Sequence, residues 1–138
     1  MYGYKKITPP FKVGEYIEYE ISALGIPVAT QKNKVVKITN INSTPVYHIR
    51  TEIKTLPMIS KIYKLHDEID TYISTETLLP VKIHSIIREG SWRNEVIIDI
   101  DQEKGKAFYQ DKKRGNIKLK FKGKLVGLVS VLYFLRSI

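Results

Sequence analysis

The stretch Gly14-Glu-Tyr-Ile-Glu-Tyr-Glu-Ile-Ser-Ala23 alternates with a period of two. Ile17, Tyr19, Ile21 and Ala23 share one face, and Glu18, Glu20 and Ser22 share the other. That is the pattern of a strand with one face buried and one face wet. The same rhythm returns along most of the chain. A second strand is expected over Thr30 to Ile41, closed by the turn Asn42-Ser-Thr-Pro45. In a third, Tyr47, Ile49, Thr51 and Ile53 alternate with Val46, His48, Arg50, Glu52 and Lys54. Further strands are expected at His66 to Ser74, Pro80 to Glu89, Ser91 to Asp101, Lys106 to Gln110 and Asn116 to Lys122. Trp92, Asn94, Val96, Ile98 and Ile100 fall on one face of the sixth.

Two stretches break the rhythm. Leu56 to Leu65 places Met58, Ile59, Ile62, Tyr63 and Leu65 at mixed spacing after Pro57, which predicts a short helix or irregular turn. Leu125 to Arg136 is apolar nearly all round, so as a helix it needs burial on more than one side. Such a helix so close to the last residue suggests that later chain or a second subunit covers it. The expected fold is therefore mainly β. It is a curved antiparallel sheet of about seven or eight strands forming an open or incomplete barrel, with these two short helices over its concave side. Residues 1–10 read as a lead-in or linker and 11–138 as one β-rich domain, since 138 residues suit a single core.

Composition narrows the chemistry. There is no cysteine, which removes disulfides, thiolate metal sites and cysteine catalysis. No apolar stretch approaches the ~20 residues of a membrane-spanning helix. The segment Met1 to Pro10 has no signal-peptide core. The net charge of +9 is unevenly placed: residues 1–103 balance to zero, and the whole excess lies in 104–138. There Lys118, Lys120, Lys122 and Lys124 alternate with Ile117, Leu119 and Phe121, which reads first as a lysine-protected edge strand. Contact with an anionic membrane surface is the second reading of this basic patch, and nucleic acid is disfavoured for want of arginine and stacking motifs.

Candidate chemistry is sparse. His66, Glu68 and Asp70 alternate onto one face and offer oxygen and imidazole donors to a divalent cation, but a solvated strand is the favoured reading and no metal site is expected. Asp99 and Asp101 pair by spacing in the same way and read as a strand end. His48 and His84 sit among charged neighbours on polar faces. No G-x-S-x-G elbow, Walker loop or G-x-G-x-x-G occurs. The sequon Asn42-Ser-Thr44 is discounted because Pro45 follows it. No enzyme and no cofactor are expected.

Several stretches in combination resemble a known family. They are Phe11 to Thr30, with F-x-V-G-E-x-I-x-Y followed by L-G-I-P; Ser60 to Asp70; Leu78-Leu-Pro80; and Val129-Ser-Val-Leu-Tyr-Phe-Leu-Arg136. Together they resemble the uncharacterised exported bacterial proteins grouped as domain of unknown function 3108. The resemblance implies a periplasmic, signal-cleaved, mainly antiparallel β protein without an established activity. Relatives usually continue past the L-Y-(Y/F)-L-R helix, which suggests that this chain is truncated at its C-terminus. A more distant likeness of architecture is to bacterial lipoprotein carriers, and a fold does not carry function with it.

The leading functional expectation is non-enzymatic binding of an apolar or amphipathic ligand, such as a lipid or lipoprotein acyl chain, lined by Ile17, Tyr19, Trp92, Ile98, Leu132 and Tyr133. The alternative is an interaction module that docks through an exposed β edge or through Leu128, Leu132 and Leu135 of the C-terminal helix, with a homo-oligomer as one outcome.

Overall fold

The computed structural model describes residues 12–123. Eight strands form one antiparallel sheet in the order of the chain: β1 (Tyr16–Ala23), β2 (Ile26–Ile41), β3 (Thr44–Thr55), β4 (His66–Ser74), β5 (Pro80–Glu89), β6 (Trp92–Asp101), β7 (Lys106–Asp111) and β8 (Gly115–Lys120). β1 and β8 are the two edges and do not pair with each other, so the sheet is open and not a closed barrel. The alternation read from the sequence and the short turns account for most of this meander, and β3 and β4 are joined by a longer, irregular connection.

Turn chemistry sets the strand ends. Leu24-Gly25 and Asn42-Ser43 each join two strands as a two-residue loop with both residues at positive φ. That conformation matches the right-handed twist of a hairpin. The first of these turns starts β2 at Ile26, four residues before the expected Thr30. Pro27 is tolerated there because the pairing of β1 with β2 shifts between Ile21 and Ser22, and pairing with β3 begins only at Ala29. Asp111 organises the β7–β8 turn: its Oδ1 accepts hydrogen bonds from the backbone N–H groups of Lys113 and Arg114 and from Asn94.

The connection from β3 to β4 is the irregular one. Only Pro57–Ser60 is helical (α1), a single turn that buries none of its residues. The expected helical cover over Leu56 to Leu65 thus shrinks to one turn, and Met58 and Ile62 point their apolar side chains into solvent. Pro57 starts the turn, and the segment is then tied to the sheet rather than extended. The hydroxyls of Thr55 and Ser60 lie 2.7 Å apart, the Leu65 N–H donates to Thr55 Oγ1, and the Ser60 hydroxyl donates to the Thr55 carbonyl. The helix expected over Leu125 to Arg136 lies outside the described residues.

The core is off-centre. Ile83, Val96, Ile98, Ile100, Ala107 and Leu119 form the buried cluster, with Ile69, Ile87, Tyr109 and Phe121 packed against it, so it occupies one face of β4 to β8. Register explains the grouping, since Ile83 pairs with Ile98 and Ile98 with Tyr109 across three strands. Burying each of the larger side chains contributes about 1.5–3 kcal/mol.

One glycine closes this packed end. Gly105 lies at φ +63° in the β6–β7 turn, its carbonyl accepts from the Phe121 N–H, and a Cβ built on it would collide with the Phe121 carbonyl oxygen. Gly115, at φ +89°, has nothing within 4 Å of a built Cβ. Both substitutions by Ala carry the cost of a positive φ, but only Gly105→Ala also forces two backbone segments apart. Urea unfolding is expected to show a loss of about 1 kcal/mol for Gly115→Ala and of about 2 kcal/mol or more for Gly105→Ala. Equal losses would mean that the Phe121 contact plays no part.

Candidate functional site

Strand pairing sorts the side chains into two faces with different chemistry. The apolar face carries Ile17 and Tyr19 on β1, Val35 and Ile38 on β2, Tyr47, Ile49 and Ile53 on β3, and the core cluster beyond. It is buried through the core cluster and also at Ala29 and Val35 on β2 and Tyr47 on β3, while on β1 Ile17 and Tyr19 stay exposed beside the polar Asn33 and Gln31 of β2. Ile98 is 3% exposed and belongs to the packed core, whereas Ile17 is 44%, Tyr19 50% and Trp92 45% exposed. The structure therefore separates the expected lining residues: Ile17 and Tyr19 sit together on the first edge strand, Trp92 lies by the β5–β6 turn, and Ile98, further along β6, is inside the core. Leu128, Leu132, Tyr133 and Leu135 lie outside the described residues.

The surface depressions lie elsewhere. One, of about 410 Å³, is lined by Lys104, Gly105, Lys120, Phe121 and Lys122. Another, of about 320 Å³, is lined in part by Arg88, Arg93, Glu95, Lys112 and Lys113. Both are predominantly basic, and neither contains Ile17, Tyr19, Trp92 or Ile98. The lysine stripe is placed as the alternation predicts: Lys118 and Lys120 are exposed on edge strand β8, and Leu119 between them is buried. Lys120 lies directly across from Lys106, a like-charge pair that disfavours further strand pairing at that edge. Lys124 lies outside the described residues.

The opposite, polar face carries all three histidines, each against a carboxylate from a neighbouring strand. His48 on β3 meets Asp70 on β4 at 2.6 Å, His66 on β4 meets Glu52 on β3 at 2.9 Å, and His84 on β5 meets Glu95 on β6 at 2.6 Å. Each carboxylate or histidine has a further partner. Arg50 Nε donates to Asp70 at 3.0 Å, Lys112 pairs with Glu95, and Glu68 stands 3.8 Å from His66. His48 also stacks on Tyr72, with centroids 4.6 Å apart and planes 17° from parallel.

His48 and Asp70 are the buried pair of the three. Burial pushes the Asp70 carboxyl up, and the hydrogen bonds from Arg50 and His48 outweigh it, so the group is held below its ordinary value. The Glu52 and Glu95 carboxyls are also lowered, by the hydrogen bond from His66 in the first case and by those from Lys112 and His84 in the second. Asp99 and Asp101, paired by spacing in the sequence, are used separately: Asp99 faces Lys82 at 3.9 Å, and Asp101 accepts from the Lys104 N–H in the turn.

A second carboxyl arrangement was not legible in the sequence. Glu89, at the end of β5, shares a hydrogen bond with Asp67, and this contact together with burial raises its pKa to about 7. Asp67 in turn accepts from the Arg88 N–H at 2.9 Å, where β4 and β5 separate. These are two carboxyls holding one proton near neutrality. Register sets Asp67 across from Ile53 and Glu89 across from Trp92, so this pair lies on the apolar side of the sheet, apart from the three histidines.

Residues 18–138 match the family model described as protein of unknown function (DUF3108). No curated protein and no solved structure matches the chain.

Two stability predictions follow from the carboxyls. Asp70 is depressed in the folded state, so its contribution is present above the ordinary value of 3.8 and is lost as pH falls through the lower folded value. Asp70→Asn is expected to cost about 2 kcal/mol at pH 7 in chemical denaturation, with the gap to wild type closing in acid. A gap independent of pH would remove the charged pairing as its cause. Glu89 has the opposite sign. Because its folded value is raised, the native state keeps a proton that the unfolded chain loses between about pH 4.3 and 7, and stability falls as pH rises through that window. The melting temperature of Glu89→Gln, which needs no such proton, is expected to gain on wild type from pH 5 to pH 8. Parallel curves would rule out the shared proton.

Proposed function

Because the chain belongs to DUF3108, a protein family of unknown function, we propose a role from the geometry: it binds an apolar or amphipathic ligand, of the chemistry of an acyl chain, without transforming it. The observation that carries this reading is the uncovered part of the apolar face at β1 and β2. Ile17, Tyr19 and Ile38 all project on the side of the sheet that is core elsewhere, and all are about half exposed. Apolar side chains left exposed there, with the polar Gln31 and Asn33 of β2 beside them, offer an amphipathic ligand area from which to displace water. The expected lining residue Ile98 is part of the packed core under β4 to β8 and presents no free surface. A location in the bacterial envelope, in keeping with such a ligand, belongs to the same proposal.

A second reading, interaction with another protein, has its own support. β1 is an edge strand whose outer side has no strand partner among the described residues. An edge of this kind accepts an added strand through main-chain hydrogen bonds, with Ile17 and Tyr19 supplying the side-chain contacts.

Native mass spectrometry and a fluorescent fatty-acid displacement assay separate the two. Acyl-chain binding predicts a monomer with a lipid-sized adduct, and Ile17→Asp or Tyr19→Asp should weaken fatty-acid binding about tenfold or more, since each removes roughly 1.5–3 kcal/mol of apolar contact. A proline at Glu18 should spare lipid binding but abolish strand addition. Fatty-acid affinity unaffected by Ile17→Asp and Tyr19→Asp would overturn the ligand reading.

A further inference from the structure

The three histidine–carboxylate pairs of the polar face are not equivalent. At His48–Asp70 the third group is the guanidinium of Arg50, whose Nε lies 3.0 Å from Asp70 Oδ1. At His84–Glu95 the third group is the ammonium of Lys112. In both, a side-chain cation completes the group and leaves the carboxylate's charge compensated. At His66 the third group is another carboxylate. Glu52 Oε2 lies 2.9 Å from Nε2 and Glu68 Oε1 3.8 Å from the same nitrogen, so two anions converge on one imidazole.

Register puts them there. Glu52 and Glu68 are direct partners across β3 and β4, and His66 is two residues before Glu68, on the same face. Two like charges directly opposite on a sheet destabilise it unless a cation lies between them. Lys32 and Lys54 are close enough to Glu52 to act on its charge, but neither forms an ion pair with it within 4.0 Å. Arg88 approaches Glu68 through the other oxygen, Oε2, at 3.8 Å, which leaves Oε1 turned towards His66.

We propose that Glu52, His66 and Glu68 form a divalent-cation site. Their donor atoms all lie within 4.8 Å of one another. Coordination at about 2.0–2.2 Å brings donor atoms to roughly 3–3.5 Å apart, a closure within reach of small glutamate rotations. One imidazole and two carboxylates suit a borderline first-row ion such as Zn²⁺ better than Ca²⁺, which prefers an all-oxygen shell. The three side chains remain partly open to solvent, so water completes the coordination. Held on two paired strands, the donors are fixed by the ladder rather than by a loop, and Arg88 on Glu68 Oε2 orients a ligand from behind. The site is independent of the apolar face, which lies on the other side of the sheet.

The test is titration of the full chain with ZnCl₂ at pH 7.5, read by calorimetry and native mass spectrometry, beside Glu52→Gln, Glu68→Gln and the remote control Glu95→Gln. One ion per chain is expected, with affinity lowered at least about tenfold by Glu52→Gln and by Glu68→Gln and unchanged by Glu95→Gln. In the wild type, the ring ¹⁵N resonances of His66 should shift on addition of zinc while those of His84 do not, a readout that needs no variant to fold. Failure to take up one ion, equal uptake by Glu52→Gln and Glu68→Gln, or zinc shifts at His84 in place of His66 would each overturn the proposal.

Discussion

The register of the antiparallel ladder from β3 to β6 is the constraint on which the rest of the structure depends. Side chains alternate with a period of two, so a slip of one residue anywhere in this run would send Ile69, Ile83, Val96 and Ile98 to the polar side and His48, Asp70 and Glu95 into the core. The β3–β4 and β5–β6 pairings carry no shift, and the single irregularity between β4 and β5 falls at the strand end, between Tyr72 and Ile73. Shifts elsewhere are likewise placed near prolines and turns or, in β2, between Val35 and Lys37. The centre of the sheet is thereby kept regular, and both faces are specified at once.

From that regularity come two surfaces with opposite logic. One face gains stability by burying aliphatic area, and it does so unevenly, with the packed cluster under β5 to β8 and exposed apolar side chains at Ile17, Tyr19 and Ile38. The other face gains by neutralisation. Its three histidines take carboxylate partners from adjacent strands, and two of those pairs are finished by Arg50 and Lys112. Buried His48 and Asp70 show what such pairing must overcome: the desolvation of the carboxyl is the largest influence on it, and only the combined hydrogen bonds from His48 and Arg50, both on β3, reverse its sign. The proposed ligand surface and the proposed cation site thus arise from the same sheet but from different physical sources, one from apolar area left exposed and one from two carboxylates that meet at one imidazole.

The edges are handled differently from each other. β8 is flanked by lysines, with Lys118 and Lys120 on its exposed face and Lys106 beside Lys120 on β7, which discourages another strand from joining. β1 offers alternating Glu and aromatic or aliphatic side chains with no such lysine guard. The basic charge that composition concentrates in the last quarter of the chain is, over its described part, an attribute of one edge and of two shallow depressions near it.

The period of two determined from sequence alone that this protein is a mainly β meander, and also which residues of each strand share a face: Trp92, Asn94, Val96, Ile98 and Ile100 are grouped as their spacing requires. His84 with Glu95 was within reach as well, since a two-residue turn at Gly90-Ser91 fixes the register of that hairpin. His66 with Glu52 was not. The ten residues between β3 and β4 follow no simple turn rule, because Pro57 imposes one helical turn and the Thr55–Ser60–Leu65 hydrogen bonds fold the remainder back onto the strand ends. Spacing along β4 alone grouped His66 and Glu68 with Asp70, which tertiary pairing instead assigns to His48 and Arg50. What only the tertiary structure decided is therefore how far each face is covered and which charges meet across strands. Alternation orients a side chain, but a contact requires the register of a second strand, and through an irregular connection no local rule transmits it.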